Sequence, residues 1–495
     1  MKDGSRPPRR WFYTLKAYRN LVVMVKETAF SWIDENEKKI TEISDKAWGF
    51  AEVGLQEYST SKLFADWIER QGFRVERGVA DMPTAFVATW SNGKGPSIGL
   101  MGELDALAGL SQKAVPYKEP VKEGAPGHGC GHNMHGTTAL AAAVAMKRAM
   151  EEKKIGGTVK MYGCPAEETL VGKVWLVRHD LFKGVDACLS HHPGSANTAG
   201  TGSSNALNSF KVHFYGRTAH AAGDPENGIS ALDAVELMSN GVNFMREHII
   251  EKARVHYVTE YGGGQPNVVP AYARVWYYVR GPEREQVDYI YNWVLQIADG
   301  ADKMARTTHK VEFLTGCYNV LPNKALCDVI VSNMREVRAP VHDEEEINFA
   351  KEMNKSIDPM QKKEGLRKSK RPSWEKLLDT LFDERILDDY QAGEVGAGST
   401  DVADVSWVTP TKEFSTVTCM LGTPGHSWQF AAQGGMSIGH KGLIFATKTM
   451  AGAGLDLMTK PKLLRGVKKE FKERLAGRKY KPPIPLDLKP PLKQF

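Results

Sequence analysis

The sequence predicts an α/β fold, a mostly parallel sheet interrupted by an inserted β-α-β-β-α-β domain of ferredoxin-like order, and three observations predict it. Helical and strand-like segments alternate over roughly the first 200 residues, as expected where helices cover a parallel sheet. From 207 to 320 the order becomes β-α-β-β-α-β, the split βαβ arrangement. Helix and strand signals resume at Asn323, so one domain is built from two pieces, 1–206 and 321–495, around the insertion 207–320.

The elements follow in order. After Ser59 as a cap, Leu63, Phe64, Trp67 and Ile68 recur at helical spacing and Gly72 supplies a stop. Strands are expected at Phe73–Val75, Ala85–Trp90 and Ile98–Met101, then a buried helix over Thr138–Glu152 leading into a strand at Thr158–Tyr162. In the insertion, Phe210, Val212 and Phe214 alternate as a strand, and a helix is expected over Ile229–Ile250. Strands at Val255–Thr259 and Ala273–Val279, a helix over Glu283–Ala305 and a strand at Val311–Leu314 complete it. The polar, basic, Pro-containing stretch 352–374 reads as a mobile excursion without catalytic duty.

Composition narrows the classes. With 495 residues, 42% of them hydrophobic, the chain buries a large core and divides into more than one domain. Its apolar runs are short and interrupted, which argues against a membrane span. The opening MKDGSRPPRRW is basic but leads into no apolar stretch with a small-residue cleavage site, and six scattered cysteines fit reduced thiols, so a cytoplasmic location is expected. The net charge of +6 invites a nucleic-acid reading, yet 12 Lys/Arg against 3 Asp/Glu fall between Lys460 and Phe495. The excess therefore belongs to a solvated helix and Pro-rich end, and no nucleic-acid partner is expected.

Chemistry concentrates in GHGCGHNMHGT, which packs His128, Cys130, His132 and His135 into eight positions. Thiolate and imidazole suit zinc and related divalent ions. A Gly-rich loop with incidental histidines is the competing reading, and distant partners weaken it. CPAEET places Glu167 and Glu168 at a strand end, SHHPG places His191 and His192 after an apolar segment, and PGHSWQF places His426 on a turn. Adjacent carboxylates after a buried strand suit one metal ligand and one proton carrier.

The set Cys130, His132, PAEE ending at Glu168, His192 and His426 resembles the amidohydrolase branch of the aminoacylase/carboxypeptidase superfamily. GRTAHAAGDPENGISALDA, with His220, and QPNVVP, with Asn267, resemble that family's motifs for the inserted domain. Asn133 stands where the family often has Asp, and 352–374 is an addition to its pattern. The resemblance implies a di-metal catalytic domain and a lid or dimerisation domain. It implies two divalent ions per subunit, Zn2+ or Mn2+, bridged by the Cys130 thiolate, with His132 and His192 completing one site and Glu168 and His426 the other. It also implies Glu167 as general base, Asp105 of GELDAL orienting a ligating histidine, His220 from a partner subunit stabilising the oxyanion, and Asn267 binding substrate. The assembly would be a homodimer or a heteromer with a related subunit.

The implied activity is hydrolysis of the amide bond of a small acyl amino acid, with p-aminobenzoyl-glutamate the leading substrate. A dipeptidase for short or β-alanyl dipeptides uses the same metals, and Trp407 and Trp428, though they could favour an aromatic acyl group, are more often core residues. A non-catalytic binding or regulatory subunit is the alternative of another class, against which the presence of Glu167 argues.

Overall fold

The computed structural model describes residues 24–492, so the MKDGSRPPRRW opening and the last three residues of the basic tail lie outside the described residues. Its strands, in chain order, are β1 (Arg74–Arg77), β2 (Phe86–Ser91), β3 (Ser97–Glu103), β4 (Thr158–Cys164), β5 (Ala187–Gly194), β6 (Asn197–Thr198), β7 (Ala206–Tyr215), β8 (Arg254–Tyr261), β9 (Tyr272–Gly281), β10 (Thr308–Cys317), β11 (Ile386–Leu387) and β12 (Thr411–Val417). The larger sheet runs β1-β2-β4-β3-β5-β12-β6-β11. Its middle, β4-β3-β5-β12, is parallel, and β1 and β2 join it as an antiparallel edge.

Alternation along the strands separates two cores. On one face Ile98, Leu100, Val159, Met161, Leu189 and Phe414 meet the helices His132–Glu152 and Ser437–Thr459. On the other, Met101, Tyr162, Cys164 and Cys188 meet Val174 and Trp175 of the helix Gly172–Arg178 and Val402 and Val405 of the helix Val402–Ser406. Side chains of period two thus fill both sides of a sheet that helices cover twice.

The helix expected from Thr138 starts earlier, at His132, so His132 and His135 lie in its first turn. Two glycines permit this. Gly131 takes the left-handed conformation (φ 81°) that turns the chain into the helix. A Cβ on Gly136 would sit 2.4 Å from the Phe64 ring and 2.7 Å from the Glu103 carbonyl oxygen, so only glycine lets this helix rest against β3.

In the insertion, β10-β7-β9-β8 form an antiparallel sheet. The helices Ala231–Met245 and Arg284–Ala305 cover one of its faces, burying Phe210, Val212, Val275 and Tyr277 against Val235, Met238, Ile290 and Val294. Its strand β8 is an edge.

The stretch 352–374 corrects the expectation of a mobile excursion. The helices Glu344–Asn354 and Pro359–Ser369 occupy most of it, the first opened by an Asp343/Glu346 capping box and the second by Asp358 with Pro359 in its first turn. Met353 packs with Met420 and Ala432, and buried Arg371 donates to the Ser195 carbonyl at 2.8 Å. Polar composition reflected the outer face of these helices, while a few apolar anchors fix the inner one.

The basic helix Pro461–Leu475 buries only Leu464 and Val467, as a solvated helix should. Beyond it the Pro-rich end is docked: Tyr480 donates to Asp404 at 2.8 Å and Arg178 donates to the Leu488 carbonyl at 2.7 Å. Among the described residues no helix is long and apolar enough to cross a membrane.

Candidate metal centre

Open parallel sheets gather ligands beyond the carboxyl ends of their strands. Here Asp105 follows the end of β3, Glu167 and Glu168 follow β4, His192 lies near the end of β5, and His426 lies on the loop after β12. The strand period separates two neighbouring histidines. His191 turns into the core, bonded through its two ring nitrogens to Thr138 and Thr416, while His192 turns to Cys130.

Hydrogen bonds fix which ring nitrogens are free. His132 Nδ1 lies 3.0 Å from both Asp105 Oδ1 and the Asp105 carbonyl oxygen, so it carries the proton and its Nε2 presents a lone pair. That Nε2 is buried without a hydrogen-bond partner. His192 Nδ1 donates to the Pro193 carbonyl at 2.9 Å, leaving its Nε2 3.3 Å from Cys130 Sγ. His135 is different: its Nδ1 accepts the Glu103 N–H at 3.0 Å, so its Nε2 is the protonated nitrogen and no lone pair remains for an ion. His128 Nε2 donates to the Ala47 carbonyl at 3.1 Å, and the ring joins neither cluster of ligand atoms at Cys130.

Two donor sets are built on Cys130, and they share its sulfur. Cys130, His132 and His192 bring ligand atoms within 4.8 Å of one another, as do Cys130, Glu168 and His426. Glu168 Oε2 lies 3.3 Å from His426 Nε2, and its Oε1 is buried without a hydrogen-bond partner. Orphaned acceptors on His132 and Glu168, facing a thiol, fit divalent cations. Burial alone would raise the Cys130 thiol, but His192 and His132 hold it well below its ordinary value, the thiolate form that binds metal. Burial, then the Glu103 and Asp401 carboxylates, push the Glu167 carboxyl well above its ordinary range.

The backbone around these groups is strained. Ala166, just before Glu167, and His426 are both left-handed (φ 54° and 51°), a conformation that costs a non-glycine residue on the order of 1 kcal/mol or more. Ala166 thus turns the chain just past the end of β4, and Glu167 and Glu168 follow it to the cavity.

A cavity of about 540 Å³ opens over the cluster, bordered by Cys130, Glu167, Glu168, His192 and His426. Arg280 and Tyr278, at the end of β9, border it too, as do Glu413 of β12 and the loop Gly398–Thr400. Sequence reasoning missed these, together with Glu103 and Lys173. The single charge of Lys173 inside the apolar run LVGKVWLV was an available signal. His220 and Asn267 sit in neighbouring loops of the insertion, where the Ala221 N–H donates to the Asn267 carbonyl. Neither borders this cavity in its own chain. Trp407 is core, donating to the Asn319 carbonyl, and Trp428 packs beside Met353 and Met420, so neither reaches the cavity.

The family model for "Peptidase family M20/M25/M40" matches residues 99–356. The chain belongs to this family. It is a metal-dependent hydrolase of amide bonds, and the centre's donor set fits the metal dependence. Among its M20 relatives, one of the subunits of p-aminobenzoyl-glutamate hydrolase of Escherichia coli K12 is 40% identical over 473 residues, 93% of this chain and 98% of that one. The fold is shared with solved structures. An aminobenzoyl-glutamate utilization protein from Klebsiella pneumoniae has a TM-score of 0.58 at 18% identity, covering 87% of this chain and 98% of its own. A dinuclear metal-binding M20 peptidase from Bacillus subtilis has a TM-score of 0.55 at 16% identity, covering 86% and 99%.

Proposed function

We propose that this chain hydrolyses p-aminobenzoyl-glutamate, or a closely similar aryl-acyl amino acid, at a centre of two divalent ions, Zn2+ or Mn2+. The observation that carries the reading is the pair of donor sets meeting at Cys130, with Glu167 beside them in a cavity that Arg280 also borders. Cys130, His132 and His192 would hold one ion and Cys130, Glu168 and His426 the other. Such ions polarise the scissile carbonyl and lower the pKa of a coordinated water.

The chain's own groups do the rest. Asp105 keeps His132 in the tautomer that offers Nε2. Glu167 takes a proton from the attacking water and returns it to the departing amine nitrogen. Arg280, whose Nε is buried without a partner, supplies a cation for the carboxylate of the amino-acid half. Tyr278 offers a ring face beside it for an aryl group.

His220 and Asn267 would act on the cavity of a partner subunit, His220 stabilising the oxyanion and Asn267 bonding the substrate. Each lies away from its own cavity, which suits a paired lid, and His220 Nδ1 accepts from the Ala222 and Gly223 N–H groups, leaving Nε2–H to donate. The Escherichia coli relative is one of the named subunits of its hydrolase, so a heteromer with a related chain is part of the reading, with the lid as its contact. Six free cysteines support a reducing, cytoplasmic setting.

The test is hydrolysis of p-aminobenzoyl-glutamate by purified protein with and without Mn2+, Zn2+ and a chelator, beside acyl amino acids and dipeptides. Metal-dependent release of p-aminobenzoate and glutamate well above the panel is expected. Cleavage of dipeptides alone would overturn the substrate.

A further inference from the structure

Beneath the centre lies a group of buried charges that hydrolysis as described leaves unused. Lys173, in the helix Gly172–Arg178, is completely buried, with its ammonium 2.7 Å from Glu103 Oε1 and 2.5 Å from Asp401 Oδ1. Asp401 Oδ2 also accepts the backbone N–H of Lys173 at 2.7 Å. All three side chains are inaccessible to solvent. Charges this deep persist only when paired, and an ion pair placed for stability alone could be replaced by apolar packing at little cost. This one is not isolated, because each carboxylate has a second engagement at the active centre.

Glu103 reaches upward. Its Oε2 lies 3.1 Å from His132 Nε2 and 3.2 Å from His135 Nε2. The His135 ring is held from both ends, by the Glu103 N–H on Nδ1 and by Ser190 Oγ 3.1 Å from Nε2. Asp401 reaches sideways, directly continuing the Gly398–Thr400 loop that borders the cavity. One ammonium therefore ties the floor under His132 to the Gly398–Thr400 wall of the cavity.

We propose that Lys173 is a positioning residue for the metal centre, fixing the Glu103 carboxylate beneath His132 and, through Asp401, the Gly398–Thr400 wall. The inference rests on Cys130, His132 and His192 holding an ion. Without the ammonium, the Glu103 carboxylate keeps only its contact with His135 Nε2–H and rotates toward the cation beside His132, which changes that ion's coordination. Asp401 keeps its bond to the Lys173 backbone but loses the cation that orders its other oxygen, and the loop it carries loosens.

The test uses the full chain loaded with Co2+, whose visible spectrum reports coordination geometry and thiolate ligation. Replacing the ammonium alone would leave two unpaired buried carboxylates, so the charge-balanced double variant Lys173→Met/Asp401→Asn is the informative one. It is expected to fold, as judged by circular dichroism, yet to show a shifted Co2+ spectrum, a metal Kd raised about tenfold or more, and a kcat lowered by a similar factor. Asp401→Asn alone, with the Lys173–Glu103 pair intact, is expected to raise KM and leave the spectrum unchanged. A double variant with the parent's spectrum, metal Kd and kcat, whatever its melting temperature, overturns the proposal. A spectrum in Asp401→Asn altered as much as in the double variant overturns the separate duties of floor and wall. Failure of the parent chain itself to bind Co2+ overturns the metal reading, and is told apart because it needs no variant.

Discussion

Asp105 grips the ring of His132 twice, its Oδ1 and its own carbonyl oxygen each lying 3.0 Å from Nδ1. Its second carboxylate oxygen accepts the backbone N–H of Glu168 at 2.9 Å. One side chain thus sets the tautomer of a histidine in the first donor set and the position of a glutamate in the second. Asp105→Asn places an amide where two acceptors are needed, and metal affinity is expected to fall by about 10- to 100-fold, read by titration with a chromophoric chelator. Wild-type affinity would remove this orienting role.

Glu167 borders the cavity and belongs to neither donor set built on Cys130. Glu167→Gln is expected to retain both ions and lose about 100-fold or more in kcat, the scale of general acid–base catalysis. Elemental analysis beside steady-state kinetics checks it, and a parallel loss of metal would make Glu167 a ligand.

Because both donor sets use one sulfur atom, Cys130→Ser is expected to lower the occupancy of both ions, whereas His426→Ala lowers that of one. The ratio of bound metal to protein after dialysis distinguishes the cases. Equal stoichiometry in Cys130→Ser and the parent would remove the shared thiolate.

Arg280 is expected to act through binding. Arg280→Ala should raise KM about tenfold or more for substrates with a free α-carboxylate, the scale of a charged hydrogen bond, and leave their amidated counterparts nearly unchanged. Equal effects on both would mean that Arg280 shapes the cavity without reading the carboxylate.

Gly136→Ala tests the close approach of the helix His132–Glu152 to β3. With backbone oxygen 2.7 Å from the new Cβ, about 1–3 kcal/mol of stability should be lost, seen as a lower denaturant midpoint. An unchanged midpoint would show that the helix shifts freely.

Much of this molecule was legible in its sequence because the signals are local. The α/β class follows from periodicity, and the CGH, PAEE, SHH and PGH segments each announce polar chemistry beside an apolar strand. The distinction between His132 and His135 was not legible, since it depends on which oxygen or N–H each ring meets after the helix is laid on β3. Nor were Lys173 and Arg280, whose partners and cavity come from elements distant in the chain, Asp401 lying 228 residues from Lys173. The helices within 344–369 were concealed by composition, although Asp343 with Glu346 and Asp358 with Pro359 were cap signals that a closer look at helix starts would find.

The larger sheet also sets a timetable for synthesis. Strands β5 and β6 are separated by two residues in the chain, yet β12, made more than 200 residues later, lies between them. Until that strand leaves the ribosome, the nascent sheet carries an open edge at β5, beside His192, and the loop bearing His426 does not yet exist. The insertion is contiguous, so its own sheet can close first, while the metal-binding half waits with an unpaired strand exposed to chaperones. The donor set of Cys130, His132 and His192 thus precedes β12 in synthesis, while the set that needs His426 is completed only after it.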